Sequence, residues 1–221
     1  MTDFKFPNNT QRVSIVGMTG SGKTRFAAWL LSQYNFRQQP YVIIDVKGDD
    51  LLQRIDRAIE IDHKTVPKAP GLYYMNPHPD QVDEMETWLT KVWERGRTGL
   101  YFDEGYVFPN SKALNRILTQ GRSLRIPAMI LTQRPVWCSR FVFTQADFIV
   151  GFYVNDERDW EPLRALTPKN AVWDFNNELP PYCARWYDVA RRYSTVLRPV
   201  PGDEYILDRF DAALRRPIRG V

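Results

Sequence analysis

A chain of 221 residues, 43% of them hydrophobic, is long enough for one α/β domain with a full core, or for one domain and a small appendage. Its net charge of +4 is too mild to name a polyanionic partner on its own; Cys138 and Cys183 are too few for a disulfide framework, and His63 and His78 are not at metal-ligand spacing. Apolar runs such as 41–46 and 128–131 cannot cross a bilayer and the N-terminus lacks the apolar core of a signal peptide, so the expectation is a soluble, cytoplasmic protein with no membrane span.

In chain order, Val13-Ser14-Ile15-Val16 reads as a short buried strand, and residues 25–34 as a helix with Ala27, Leu30, Leu31 and Tyr34 on one face. Between them Gly17-Met18-Thr19-Gly20-Ser21-Gly22-Lys23-Thr24 satisfies the phosphate-loop pattern G-x-x-x-x-G-K-[ST] in the strand–loop–helix context it requires. The glycines let the backbone turn its N–H groups onto phosphates at a helix N-terminus, Lys23 supplies a cation for the β- and γ-phosphates, and the Thr24 hydroxyl is placed to ligate Mg²⁺. The ligand predicted is a nucleoside triphosphate.

Residues 41–46 form a second buried strand that empties into Lys47-Gly48-Asp49. Residues 51–61 are expected to form a short helix, 64–79 an irregular proline-rich connection carrying a strand at 71–75, and Val82, Met85, Leu89, Val92 and Trp93 the apolar face of a helix closed by Gly96. Trp88 and Trp93 read as packing residues. The third core strand, 99–104, is apolar until Asp103 and Glu104, the pattern of a Walker B motif followed by a glutamate. Asp103 would hold the Mg²⁺ shell and Glu104 would orient and deprotonate a lytic water, which favours hydrolysis over phosphoryl transfer to a small acceptor. A helix at 112–123, a fourth strand at 126–133 ending in Gln133, a candidate γ-phosphate sensor, a fifth strand at 147–153 and a helix at 157–166 follow. Beyond Pro180, Tyr182, Ala184 and Trp186, then Tyr193, Thr195 and Leu197, alternate like paired strands. Arginines thicken there, at Arg185, Arg191, Arg192, Arg198, Arg209, Arg215, Arg216 and Arg219, as a solvated basic tail or a nucleic-acid contact. Strands alternating with helices predict a doubly wound, mainly parallel sheet with its active edge at the strand C-termini.

The segment from Gln120-Gly121-Arg122 to Thr132-Gln133-Arg134-Pro135 closely resembles the helix-to-strand segment of the FtsK/HerA superfamily of DNA-pumping ATPases, and 44–49 resembles that family's second-strand ending. With both Walker motifs the resemblance runs from about Gln11 to Gly151. The chain departs from the larger branches in its size, in having no recognisable membrane domain or winged-helix module, and in Val46 and Ile126-Pro127 at positions where the family carries proline and a glycine-isoleucine step. It looks most like the genome-packaging ATPases of tailless, membrane-containing, tectivirus-like viruses.

The resemblance implies a RecA-like P-loop fold with the catalytic glutamate, strand order 5-1-4-3-2 and added C-terminal strands. It implies one domain over 1–221, with a motor core of about 11–153 and an extension of about 154–221 packed on it. It further implies ATP and Mg²⁺ as ligands, and a ring, usually a hexamer, with ATP between subunits and a trans arginine. Arg122 is the first candidate for that arginine, with Arg125 and Arg134 in reserve. Double-stranded DNA would pass through the channel without sequence preference, touching the loop with Tyr106, Asn110 and Lys112, or the basic strands around Arg191 and Arg192. The protein would work in the host cytoplasm or on the virion, beside a capsid-vertex or membrane-protein partner. Three alternatives stay open: a small-molecule P-loop kinase, opposed by Glu104 and the 120–135 segment; a phage extrusion ATPase like the zonula-occludens-toxin-like proteins, which characteristically add a membrane span; and a nucleotide-dependent scaffold, in which Glu104 would only cap a strand.

Overall fold

The structure, a computed structural model, describes residues 5–215. Its elements in chain order are β1 (Val13–Val16), α1 (Lys23–Leu31), β2 (Pro40–Ile44), α2 (Asp50–Gln53), β3 (Ile59–Glu60), β4 (Gly71–Met75), α3 (Val82–Arg95), β5 (Gly99–Phe102), α4 (Lys112–Gln120), β6 (Ala128–Thr132), α5 (Phe141–Thr144), β7 (Phe148–Gly151), α6 (Glu157–Arg164), β8 (Ala184–Asp188), β9 (Tyr193–Leu197) and α7 (Asp203–Leu214).

The strands form one sheet in the order β3-β4-β2-β5-β6-β1-β7-β8-β9. Every pairing from β3 to β7 is parallel, and β8 and β9 add an antiparallel edge. The five core strands read from the sequence stand as β7-β1-β6-β5-β2. Central strands are buried on both faces, and the period of two sorts their side chains into two cores. Val42, Ile44, Leu100, Phe102 and Ile130 pack under α3, α4 and α5, while Ile15, Ile43, Tyr101, Leu131 and Val150 pack under α1 and α7. Helices on both faces leave only the strand ends open to ligand.

Trp88 is fully buried and donates its indole N–H to Thr65 O at 2.8 Å, and Trp93 packs under the guanidinium of Arg116 at 4.7 Å, so both are packing residues. Two expectations differ from the structure. The helix expected over 51–61 is one turn, α2, capped by the Asp49 carboxylate at Leu51 N. Ile55 then turns into the core, and Ile59–Glu60 pairs with β4, a ladder that competes for the same backbone groups.

The basic C-terminal stretch is not a tail where it is described. Asp203 to Leu214 form α7, whose Ile206 and Phe210, four residues apart, are buried, with Phe210 stacked on Phe36 at 6.1 Å. Ion pairs Arg25–Asp203, Arg54–Glu204 and Arg57–Asp211 line its rim, so burial rather than charge does most of the docking. Arg185 is buried in β8 and donates to the carbonyls of Val172, Asp174 and Asn177. Arg216 and Arg219 lie outside the described residues.

Candidate active site

The phosphate loop joins β1 to α1 at the C-terminal edge of the sheet. Gly20 and Gly22 have φ of 77° and 93°, left-handed backbone that glycine adopts at no steric cost. A Cβ on Gly17 would stand 2.5 Å from Ser21 Oγ and 2.7 Å from Phe152 Cβ, so the loop closes only on glycine there. Gly22 caps α1 without a side-chain acceptor, which leaves the positive end of the helix to an external anion. Ser21 Oγ is buried with no hydrogen-bond partner, an unsatisfied group that a polar ligand would complete.

Two strands to the side, β5 ends in Asp103 and Glu104, both 1% exposed. Thr24 Oγ1 donates to Asp103 Oδ1 at 3.2 Å, and this pair of hard oxygens is a donor set that suits Mg²⁺. Burial, then the neighbouring carboxylates of Asp45 and Glu104, push the Asp103 pKa up to about 6. That excess of buried negative charge fits a site completed by a cation. The Lys23 ammonium is buried as well, 3.8 Å from Glu104 Oε1. Burial lowers its pKa and Glu104 opposes that shift.

Glu104 is held from three sides. Gln133, at the end of β6, donates its side-chain amide to Oε1 at 2.6 Å and its backbone N–H to Oε2 at 3.4 Å. Thr19 of the phosphate loop in turn donates its hydroxyl to Gln133 Oε1, so Gln133 bridges the loop and the carboxylate. The third contact is the ammonium of Lys47, which donates to Glu104 Oε1. Lys47 was not among the site residues read from the sequence. Its aim is set by Asp45, which accepts from Gly48 N at 2.9 Å, Asp49 N at 2.7 Å and the Tyr74 hydroxyl at 2.9 Å. Gly48 completes the turn at φ 73°, left-handed backbone that glycine adopts without strain. The only signal in the sequence was the Asp-Val-Lys-Gly string itself.

The candidate arginines fall in different places. Arg134 lies beside the loop but is engaged by Asp156 at 3.0 Å and Asp159 at 3.2 Å and sits over the ring of Trp137 at 4.6 Å. Arg122 is at the opposite edge of the sheet, 62% exposed, with Asp147 as its partner at 3.2 Å. Arg125 is exposed at φ 55° in the same turn. The two regions considered for DNA are also separated. Tyr106, stacked edge-on against Trp137 at 5.8 Å, and the exposed Asn110 and Lys112 follow β5 at the loop edge. Arg191 and Arg192 occupy the β8–β9 turn at the far edge, where Val189 N bonds Asp147 O. Among the described residues no cluster of His, Cys, Asp and Glu forms a metal site of its own, and no helix is long and apolar enough to cross a membrane.

Residues 8–50 match the family described as the helicase HerA central domain. The chain is 38% identical over 220 residues to the DNA packaging ATPase P9 of Enterobacteria phage PRD1, covering 96% of this chain and 97% of that one. It belongs to the viral DNA-packaging ATPases of the FtsK/HerA superfamily.

Solved structures agree with this packaging ATPase in fold. The genome packaging NTPase B204 of Sulfolobus turreted icosahedral virus 2, solved with AMPPCP, superimposes with a TM-score of 0.67 at 20% identity over 88% of this chain and 100% of that one. The ATPase 2 and 3 region of EssC from Geobacillus thermodenitrificans gives a TM-score of 0.65 at 15% identity, covering 92% of this chain and 44% of that one.

Proposed function

We propose that this ATPase packages a viral genome, hydrolysing ATP at the loop edge of the sheet and driving double-stranded DNA into a capsid. The observation that carries the reading is one cluster on three strand ends. Lys23 and Thr24 stand after β1, Asp103 and Glu104 after β5, and Gln133 after β6, all within direct contact of one another or one residue away. Near-full-length identity to a DNA packaging ATPase supplies the substrate class.

The roles follow from the chemistry. Residues 17–24 wrap the phosphates in backbone N–H groups, and Lys23 offsets the β- and γ-phosphate charge. Magnesium, held by Thr24 and Asp103, would neutralise charge on the β- and γ-phosphate oxygens. Glu104, kept in one orientation by Gln133 and Lys47, is the base that takes a proton from the attacking water. Gln133 contacts both the loop and Glu104, so it is placed to report the γ-phosphate to the base.

The working unit is a ring, a hexamer by family resemblance, in which Arg122 of one subunit completes the site of the next. Its position supports a trans role, since β1 alone separates its edge from the phosphate loop by roughly 13 Å. The whole chain acts as one unit, the C-terminal extension continuing the motor's sheet through β8 and β9. DNA contacts are electrostatic and salt-sensitive, from Tyr106, Asn110 and Lys112 or from Arg191 and Arg192. The setting is the host cytoplasm or the virion, with a capsid-vertex or membrane-protein partner.

The test is steady-state ATP hydrolysis with and without double-stranded DNA across a protein dilution series. The expected result is turnover that rises cooperatively with concentration and is stimulated by DNA of any sequence. Turnover linear in protein and indifferent to DNA would refute the ring motor.

A further inference from the structure

Helix α6 forms a third wall of the site. A hollow of about 560 Å³ lies between Met18 and Thr19 of the phosphate loop, Gln133 and Arg134 after β6, and Asp156 and Asp159 at the start of α6. The segment leading into α6 is tied to the loop, since Met18 N donates to Tyr153 O at 2.9 Å. The helix is also anchored from beneath. Trp160 and Leu163 are buried in the core, and the Trp160 ring packs on Phe175 at 4.2 Å.

Asp159, in the first turn of α6, is 1% exposed. An acidic residue at that place on a helix is favoured by the helix dipole while still solvated, and burying its charge is costly unless the carboxylate is paired. Both of its oxygens face the turn after β6. Oδ1 accepts from Val136 N at 3.2 Å, and Oδ2 lies 3.2 Å from Arg134 Nε. On the near side of the same turn, Thr132 Oγ1 accepts from Arg134 N at 3.1 Å. Pro135, inside the turn, has no N–H to close it. Gln133 sits between these anchors, and its two donors reach Glu104 at 2.6 and 3.4 Å.

We propose that Asp159 is a positioning residue for ATP hydrolysis, fixing the 133–136 turn so that Gln133 presents both donors to Glu104. The inference rests on the assignment of Glu104 as the base and Gln133 as its partner, and it adds α6 to the machinery that orients them. Asp159 touches neither water nor phosphate; it acts through the turn. A base held in one orientation by a supporting shell loses rate, rather than nucleotide affinity, when that shell loosens.

The test is a cycle of steady-state ATP hydrolysis with Asp159→Asn, Gln133→Ala and the double variant, beside equilibrium ATP binding and thermal unfolding. An amide can offer its oxygen to Val136 N or to Arg134 but must turn its NH₂ toward the other, so Asp159→Asn breaks one contact at nearly constant shape. Asp159→Ser, smaller and without a buried amide, is carried through the same cycle in case Asp159→Asn does not fold. Either substitution is expected to lower kcat about tenfold with KM and ATP affinity unchanged, and to lower it no further once Gln133 is alanine. Unchanged kcat, a loss that appears in KM, or an equal loss with and without Gln133 would overturn the positioning role. Normal turnover in Gln133→Ala alone would instead overturn the assignment of Gln133 beneath it.

Discussion

Glu104→Gln is expected to leave ATP binding intact and to cut turnover by a factor of about 10²–10⁴. The amide is nearly isosteric, and its oxygen can still accept from Gln133 and Lys47, so the buried network keeps its shape. What it loses is the ability to take a proton from water. The buried Lys23 ammonium loses one carboxylate partner but keeps Asp103 nearby to offset its charge. Single-turnover hydrolysis beside equilibrium nucleotide binding separates the two effects. Lys47→Met makes a useful contrast: Gln133 still holds Glu104, so the loss is expected to be about tenfold in kcat with KM unchanged, and recovered in Lys47→Arg. Near-normal turnover in Glu104→Gln would demote Glu104 to the strand-capping role of the scaffold alternative.

Arg122→Ala is expected to bind ATP normally and to lose about 10³-fold or more of hydrolysis in the assembled state. The side chain is exposed, and Asp147 still receives the Arg12 backbone N–H at 2.9 Å, so the local fold survives the substitution. The decisive experiment mixes two inactive proteins. A ring containing both Arg122→Ala and Glu104→Gln subunits has interfaces where an intact Glu104 meets an intact Arg122, so mixing is expected to restore part of the turnover. No recovery on mixing, or normal hydrolysis by Arg122→Ala alone, would remove Arg122 from the trans role.

The sequence made the fold legible because α/β alternation and buried strands carry strong local periodicity. Val13–Val16, Gly99–Phe102 and Ala128–Thr132 lie within the segments read as strands, Pro40–Ile44 overlaps the 41–46 reading and starts one residue before it, and the loop-bearing ends follow from their direction. Helix α7 was obscured by the arginines that flank it, Arg198 before and Arg215 after: within it only Arg209 is basic, and Ile206, Leu207, Phe210, Ala213 and Leu214 pack on the core. Pro201-Gly202-Asp203-Glu204 was the available start signal, an acidic first turn after glycine.

Within the site, the residues carried by motifs were visible, and those that depend on distant pairing were not. Lys47 reaches Glu104 across 57 residues of sequence, a contact that no spacing rule encodes. Tyr182 approaches the loop from the start of β8, two strands to the side of β1, and its left-handed backbone has no sequence signature in Pro-Pro-Tyr-Cys. In both cases the topology, not the local pattern, makes the contact.

The central claim is that hydrolysis at this site moves DNA. Its most direct measurement is displacement of a third strand annealed to double-stranded DNA, followed over time with ATP, for the parent protein and for Glu104→Gln. The account predicts ATP-dependent displacement by the parent at a rate that tracks hydrolysis, and none by Glu104→Gln. Vigorous, DNA-stimulated hydrolysis that leaves the third strand in place would contradict it.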